Sequence, residues 1–154
     1  MALAYWRDDV KTHHPQIDSK HEEILTLLRR LYQDIMLNES GTAIQSTLDA
    51  LFVCVLDHSE IEELLMRQYE YPELRSHTDN HEVILSKIFN LRLRAESHDL
   101  EVTTEMVHGI AHCISVHHRT YDISMIQYIQ RQDESFPHMI KSDEFVDLEP
   151  DPMD

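Results

Sequence analysis

Two glycines and five prolines in 154 residues leave this chain short of turn chemistry. That disfavours architectures built from many tight hairpins and favours long helices joined by short links. Basic residues are scarce. Thirteen lysines and arginines stand against 29 aspartates and glutamates, for a net charge of −16. Phosphate backbones need clustered Lys and Arg, so nucleic acid is excluded as a partner, and anionic membrane surfaces are disfavoured. Long apolar runs are missing too. The longest, around 50–56, is far too short to cross a bilayer, so membrane insertion is not expected. The first ten residues, MALAYWRDDV, lack a basic segment followed by an apolar one, so no secretion signal is read and a cytoplasmic location is expected. The two cysteines, Cys54 and Cys113, form no C-x-x-C pair and are expected as reduced, half-buried thiols.

What is present is helical periodicity with polar residues in the wrong place. Four stripes step by three or four residues, the spacing of a helix that buries one face. The first runs Ile17, His21, Ile24, Leu28, Leu31, Ile35. The second runs Ile44, Leu48, Leu51, Val55, His58, Glu62, Leu65, Tyr69. The third runs Leu74, His77, His81, Ile84, Ile88, Leu91, Ala95. The fourth runs Val107, Ile110, Ile114, His117, Tyr121, with Asp122 one place off its edge. Imidazoles and carboxylates in a bundle interior cost several kcal/mol each unless something compensates them. All seven are metal-ligand types, which points to a metal site between the helices.

The links between stripes predict an all-α fold, an antiparallel up-down four-helix bundle. Asp18 is placed to cap the first helix, after Pro15. Residues 38–42 separate the first helix from the second, Tyr71-Pro72-Glu73 ends the second, and 97–99 close the third. The fourth is expected from about Val102 to Gln132. Residues 1–138 are read as the bundle, beginning with an extended arm over 1–16 in which Tyr5 and Trp6 cover one end. Residues 139–154 are read as an acidic tail or linker that buries little.

The spacings carry the chemistry. His58-x-x-x-Glu62 and His77-x-x-x-His81 each project two ligands from one helix face. A lone H-x-x-x-H is a weak signal, but two such pairs on consecutive helices with His21 and His117 in stripe are much stronger. Seven ligands are too many for one four-coordinate zinc. The third helix lacks the glutamate that follows the first histidine in a zinc-protease helix. Calcium and magnesium prefer oxygen, and five of the seven groups are imidazoles. Glu105-x-x-His108 matches a ferritin-like carboxylate motif only once, so it is read as coincidence. Two six-coordinate ions offer twelve positions. Five imidazoles, two bridging carboxylates and one shared oxygen fill eleven, leaving one position open.

Taken together, Asp18-x-x-His21, His58-x-x-x-Glu62, Tyr71-Pro-x-Leu-x-x-His77-x-x-x-His81 and His117-x-x-x-x-Asp122 resemble the hemerythrin family in its bacterial branch. The resemblance covers about residues 5–130. It implies a cofactor of two iron ions, an oxo- or hydroxo-bridged di-iron centre that binds dioxygen at one open iron position. It makes His77, His81 and His117 the ligands of one iron and His21 and His58 those of the other, with Glu62 and Asp122 bridging. It implies a binding domain rather than an enzyme. An oxygen-sensing domain of a larger signalling protein, with an output domain beyond residue 154, is the reading placed first. A free-standing oxygen store and a peroxidase or nitric-oxide scavenger are the alternatives.

Some positions depart from the family pattern. Ser59 stands where phenylalanine is usual, Cys113 where tryptophan is usual, and His118 where an apolar residue is usual. Ile114 keeps its apolar character. These changes place Ile114, Cys113 and Ser59 around the dioxygen pocket and suggest a larger or wetter one. His118 competes with His117 for a place near Asp122. The stripe and the family spacing both select His117, so His118 is expected beside the ligands or half-exposed. Surface or packing roles are expected for His13, His14, His98, His108, His112 and His138, and a solvated role for Glu63. Met66, Met106 and Met125 are expected as core fillers, and Gly109 to mark a close helix approach.

Overall fold

The computed structural model describes residues 11–97 and 100–136. All regular structure among them is helical. α1 is Pro15–Met36, α2 Gly41–Gln68, α3 Leu74–Glu96 and α4 Thr104–His117; a single π turn, His118–Asp122, then leads into α5, Ile123–Gln132. Four long helical segments therefore build a bundle, the fourth interrupted by the π turn. α2 packs on both α1 and α3, and α4 touches α1 and α3. No helix among the described residues is long and apolar enough to cross a membrane. Tyr5, Trp6, His98, His138 and the 139–154 segment lie outside the described residues.

The helix starts differ from expectation at one point. Asp18 does not cap α1. His14 does, its Nδ1 accepting from the Ile17 N–H, while Pro15 takes the first helical position, where a missing N–H costs nothing. Asp18 instead lies in the first turn and accepts from both the backbone N–H and the hydroxyl of Thr12, each at 2.8 Å. Ser40 and Thr103 cap α2 and α4 through their hydroxyls.

With few glycines, the helix ends recruit other residues for the left-handed position. Asn38 has φ 53° and Glu70 φ 50°. After α1, Glu39 N–H reaches the Asp34 carbonyl and Asn38 N–H the Ile35 carbonyl. After α2, Tyr71 N–H reaches the Met66 carbonyl at 2.8 Å and Glu70 N–H the Arg67 carbonyl. This double closure normally uses glycine. Met66 and Tyr71 then pack in the same apolar cluster, completing the hydrophobic contact that accompanies it.

The core falls into two apolar clusters. The larger gathers Ile24, Leu28 and Leu31 from α1, Leu48, Leu51, Cys54 and Val55 from α2, Ile84, Ile88 and Leu91 from α3, and Val107, Ile110, Ala111 and Ile114 from α4. The smaller gathers Ile17, Met66, Tyr71, Met125, Ile126, Ile129 and Phe136. On α1, α2 and the fourth segment the polar stripe residues fall between members of the two clusters, and on α3 they fall between the larger cluster and Leu74, which packs against the smaller. Cys54 and Cys113 are free; burial pushes the Cys54 thiol up to about 12, so it stays protonated and inert. Met66 and Met125 are buried in the core, and Met106 packs against it. Gly109 marks no close approach: a Cβ built there would meet nothing within 4 Å.

Candidate metal centre

Between the two clusters all seven anticipated residues are buried. His21, His58, His81 and His117 are each 2% exposed, and Glu62, His77 and Asp122 are fully buried. α1 supplies His21, α2 His58 and Glu62, α3 His77 and His81, α4 His117 and the π turn Asp122.

The π turn explains how residues five apart meet. An ideal α-helix would place His117 and Asp122 about 140° apart. Here the Ile123 N–H bonds the His118 carbonyl, five residues back, and the widened turn returns Asp122 to the interior. His118, four residues after Ile114 on the same face of α4, is inward as well, so of its two expected placements it takes the one beside the ligands. His118 is 1% exposed and its Nε2 lies 3.5 Å from Asp122 Oδ2.

The side chains converge. Glu62 Oε2 lies 3.0 Å from both His77 Nε2 and His81 Nε2, and 3.3 Å from His58 Nε2. His77 Nε2 is also 3.2 Å from His117 Nε2. One ring nitrogen carries at most one proton, so it cannot satisfy all these neighbours. Asp122 Oδ1 lies 2.8 Å from His117 Nε2 and 3.1 Å from His77 Nε2, while Oδ2 lies 3.2 Å from His21 Nε2. Yet neither Asp122 oxygen, nor Glu62 Oε1, nor His58 Nε2 makes a hydrogen bond of proper geometry. Buried polar atoms left this way are costly. His77 and His81 do share the Glu62 Oε2 oxygen in hydrogen bonds, but the Asp122 oxygens, 2.8–3.2 Å from imidazole nitrogens without being aimed at them, surround common points as the ligands of cations do. The donor set, mainly imidazole with two carboxylates, fits a transition metal.

Electrostatics agree. Burial drives Glu62 and Asp122 towards the neutral form, but the surrounding histidines outweigh it and hold both well below the usual carboxylate range. Burial likewise pulls His58 and His77 down, and the two carboxylates outweigh it, lifting them to about 10 and about 9. His117 is raised for the same reasons. Burial, reinforced by His21, drives His118 well below the imidazole norm. The pocket therefore demands positive charge. Without metal, protons on His58, His77 and His117 supply it; bound cations would replace them.

Outer contacts fix the rings. Asn80 Oδ1 lies 2.6 Å from His117 Nδ1, and Glu63 Oε1 lies 3.2 Å from His81 Nδ1. Each leaves the Nε2 of its imidazole free to face the centre, the usual arrangement of ligating histidines. Glu63 was expected to be solvated; its side chain is 20% exposed and holds His81 instead. Sequence reasoning also passed over Asn80. Both are direct neighbours of ligand-type residues, Glu62 and His81, and that adjacency was the available signal.

The remaining anticipated residues make packing and backbone contacts. Ile114 belongs to the larger apolar cluster and Cys113 packs against it. Ser59 is buried, and its hydroxyl donates to the Val55 carbonyl at 2.8 Å. His108 packs edge-on against Tyr32, and His14 stacks on Phe136. A cavity of about 520 Å³ lined by Ile35, Gly41, Ala95 and Val102 includes none of the cluster residues and is not the site.

Comparison with known proteins agrees with this geometry. The family model described as Hemerythrin HHE cation binding domain matches residues 12–123. Proteins named bacteriohemerythrin from Pseudomonas aeruginosa and Stenotrophomonas maltophilia are each 29% identical over 97 residues, 63% of this chain and 63% of theirs. The matched stretch thus spans less than two thirds of these relatives. No solved structure matches the chain.

Proposed function

The chain belongs to the hemerythrin HHE cation-binding domain family, and from that premise we propose that its buried cluster holds two iron ions and binds dioxygen as the sensing site of a signalling protein. One observation carries the reading. Asp122 turns Oδ1 towards His77 and His117 and Oδ2 towards His21, at 3.1, 2.8 and 3.2 Å. A carboxylate whose oxygens face separate imidazole sets is built to bridge two ions. Glu62, with Oε2 among His77, His81 and His58 and with Oε1 free of any hydrogen bond, is the second bridge.

In this reading His77, His81 and His117 hold one ion and His21 and His58 the other. The bound irons would supply the electrons for reversible dioxygen capture. The chain's residues do the rest. Glu63 and Asn80 orient the rings of His81 and His117. Ile114 and Val55 on one side and Ile17, Met66 and Met125 on the other keep water from the layer between them. An imidazole-rich donor set suits ligand binding better than substrate oxidation, so no enzymatic turnover is assigned. The antiparallel up-down order, the 1–138 domain limit, the cytoplasmic location and an output module joined through the acidic tail belong to the same proposal. Metal analysis with an ultraviolet–visible spectrum of aerobically purified protein tests it. Two irons per chain, with oxo-bridge charge-transfer bands that change reversibly as dioxygen is removed and restored, are expected. Zinc, or iron without a dioxygen-dependent spectrum, would refute it.

A further inference from the structure

The two oxygens of Asp122 face unequal numbers of anticipated ligands but equal numbers of imidazoles. On the Oδ1 side stand His77 and His117, joined by His81 through the Glu62 oxygen it shares with His77 at 3.0 Å. On the Oδ2 side stand His21 at 3.2 Å and both His58 and His118 at 3.5 Å. Ligand atoms of His21, His58, His118 and Asp122 all lie within 4.8 Å of one another, and all four residues are buried. The His118 ring stacks on His21 with centroids 3.7 Å apart and stands 5.5 Å from the His58 ring. His117 and His118 stand three and four residues after the buried Ile114, so α4 presents both to the centre just before the π turn that brings Asp122 inward.

We propose that His118 is a sixth histidine ligand, taking the one position on the second ion that the other seven residues and a shared oxygen leave for an incoming molecule. The inference rests on the di-iron reading and deepens it. Two octahedral ions have twelve positions. The seven residues and a bridging oxygen fill eleven, and the His118 imidazole fills the last. Dioxygen, or any small anion, must then displace a protein side chain before it binds. His118 becomes the specificity-determining residue of the site. It admits strong ligands of iron and holds back weak ones, and it makes occupancy a two-state choice between an internal and an external ligand. If His118 caps the ion in roughly nine molecules of ten, the apparent affinity for an external ligand falls about tenfold.

The test uses the full chain loaded with iron and two readouts that need no turnover. Coordinated imidazoles give hyperfine-shifted, solvent-exchangeable N–H proton resonances. The unaltered protein should show six, and His118→Leu five, with two irons per chain in both. Azide titrated into the diferric proteins should bind the His118→Leu variant about tenfold more tightly than the unaltered chain. Two irons with only five shifted imidazole protons in the unaltered protein would overturn the assignment of His118 and leave the di-iron reading standing. So would equal azide affinity in the two proteins. Fewer than two irons in the unaltered protein would remove both. Should His118→Leu fail to fold, the proton count on the unaltered chain still decides, and His118→Gln repeats the azide comparison.

Discussion

Leu51 and His58 stand two turns apart on α2 and are almost equally buried, at 0% and 2% exposure, yet they ask opposite things of their surroundings. Leu51 is satisfied by the aliphatic groups of its cluster, whose burial stabilises each side chain by about 1.5–3 kcal/mol. His58 has the same helix and a similar depth, but a ring nitrogen without a properly aimed partner. The apolar cluster is complete as it stands. The polar layer is complete only with cations in it. The comparison separates what folds the chain from what the fold is for. The helices are held by aliphatic packing, and among the described residues the energetic deficit falls, Thr78 Oγ1 apart, in one layer between two apolar clusters.

The largest test of that contrast removes the cations. Chelation, or His77→Ala, should strip iron and lower stability by roughly 4 kcal/mol or more where free metal stands a thousandfold above its Kd. The chain should stay helical by circular dichroism, because the larger apolar cluster remains. Unchanged melting after stripping would break the comparison, and so would complete unfolding. The metal-free protein should also show a specific pH dependence. His58 and His77, at about 10 and about 9, sit above the 6.5 of an unfolded chain. Their contribution is full below pH 6.5 and disappears as pH rises through 9 and 10. Glu62 and Asp122 are lowered, so theirs is present above the unfolded values of 4.5 and 3.8 and lost as pH falls. Melting of stripped protein should therefore peak in mildly acidic buffer and decline towards alkaline pH. Loaded protein should lose that alkaline decline, since bound imidazoles are already neutral. Identical profiles for the two forms would contradict the charge argument.

The apolar side should respond in the opposite sense. Leu51→Ala should cost about 2–5 kcal/mol by cavity formation, measured by denaturant unfolding, while iron content stays at its original level. Iron loss on that substitution would show that the two regions are not separable.

The same contrast decides what could be read beforehand. Every apolar stripe was legible because burial and period coincide, and the seven polar residues stood out because they keep that period while breaking its chemistry. The π turn was not legible. Its residues, His118–Asp122, carry no composition that sets them apart from an α-helix, and its one trace in the period was Asp122 standing one place off the fourth stripe. That single shift explains several differences together. Asp122 is buried, Tyr121 is displaced to the flank, and the apolar stripe resumes at Met125, Ile126 and Ile129. Glu63 and Asn80 were missed for another reason. They lie off the stripes, and only the tertiary structure shows which histidine Nδ1 each one meets.

Those outer contacts supply a smaller test on the polar side. Glu63→Ala removes the carboxylate that faces His81 Nδ1 at 3.2 Å without touching a ligand-type residue. Affinity for iron should fall roughly 10–100-fold, measured by competition with a chelator, with helicity unchanged. An unaltered affinity would mean that packing alone orients His81.

The smallest effect belongs to Gly109, on the exposed face of α4, and it sharpens the comparison by being neutral to the polar layer. Glycine in a helix interior is about 0.5–1 kcal/mol less favourable than alanine because it has more backbone freedom to lose. Such a residue is retained without penalty only where something packs against the backbone, and here a Cβ would meet nothing within 4 Å. Gly109→Ala should therefore stabilise the fold by up to about 1 kcal/mol and leave iron content and the azide affinity of the diferric protein unchanged. Stabilisation accompanied by weaker azide binding would instead tie the looseness of α4, two turns before His117, to the opening of the centre. The boundary between folding and function would then have to be drawn further along that helix.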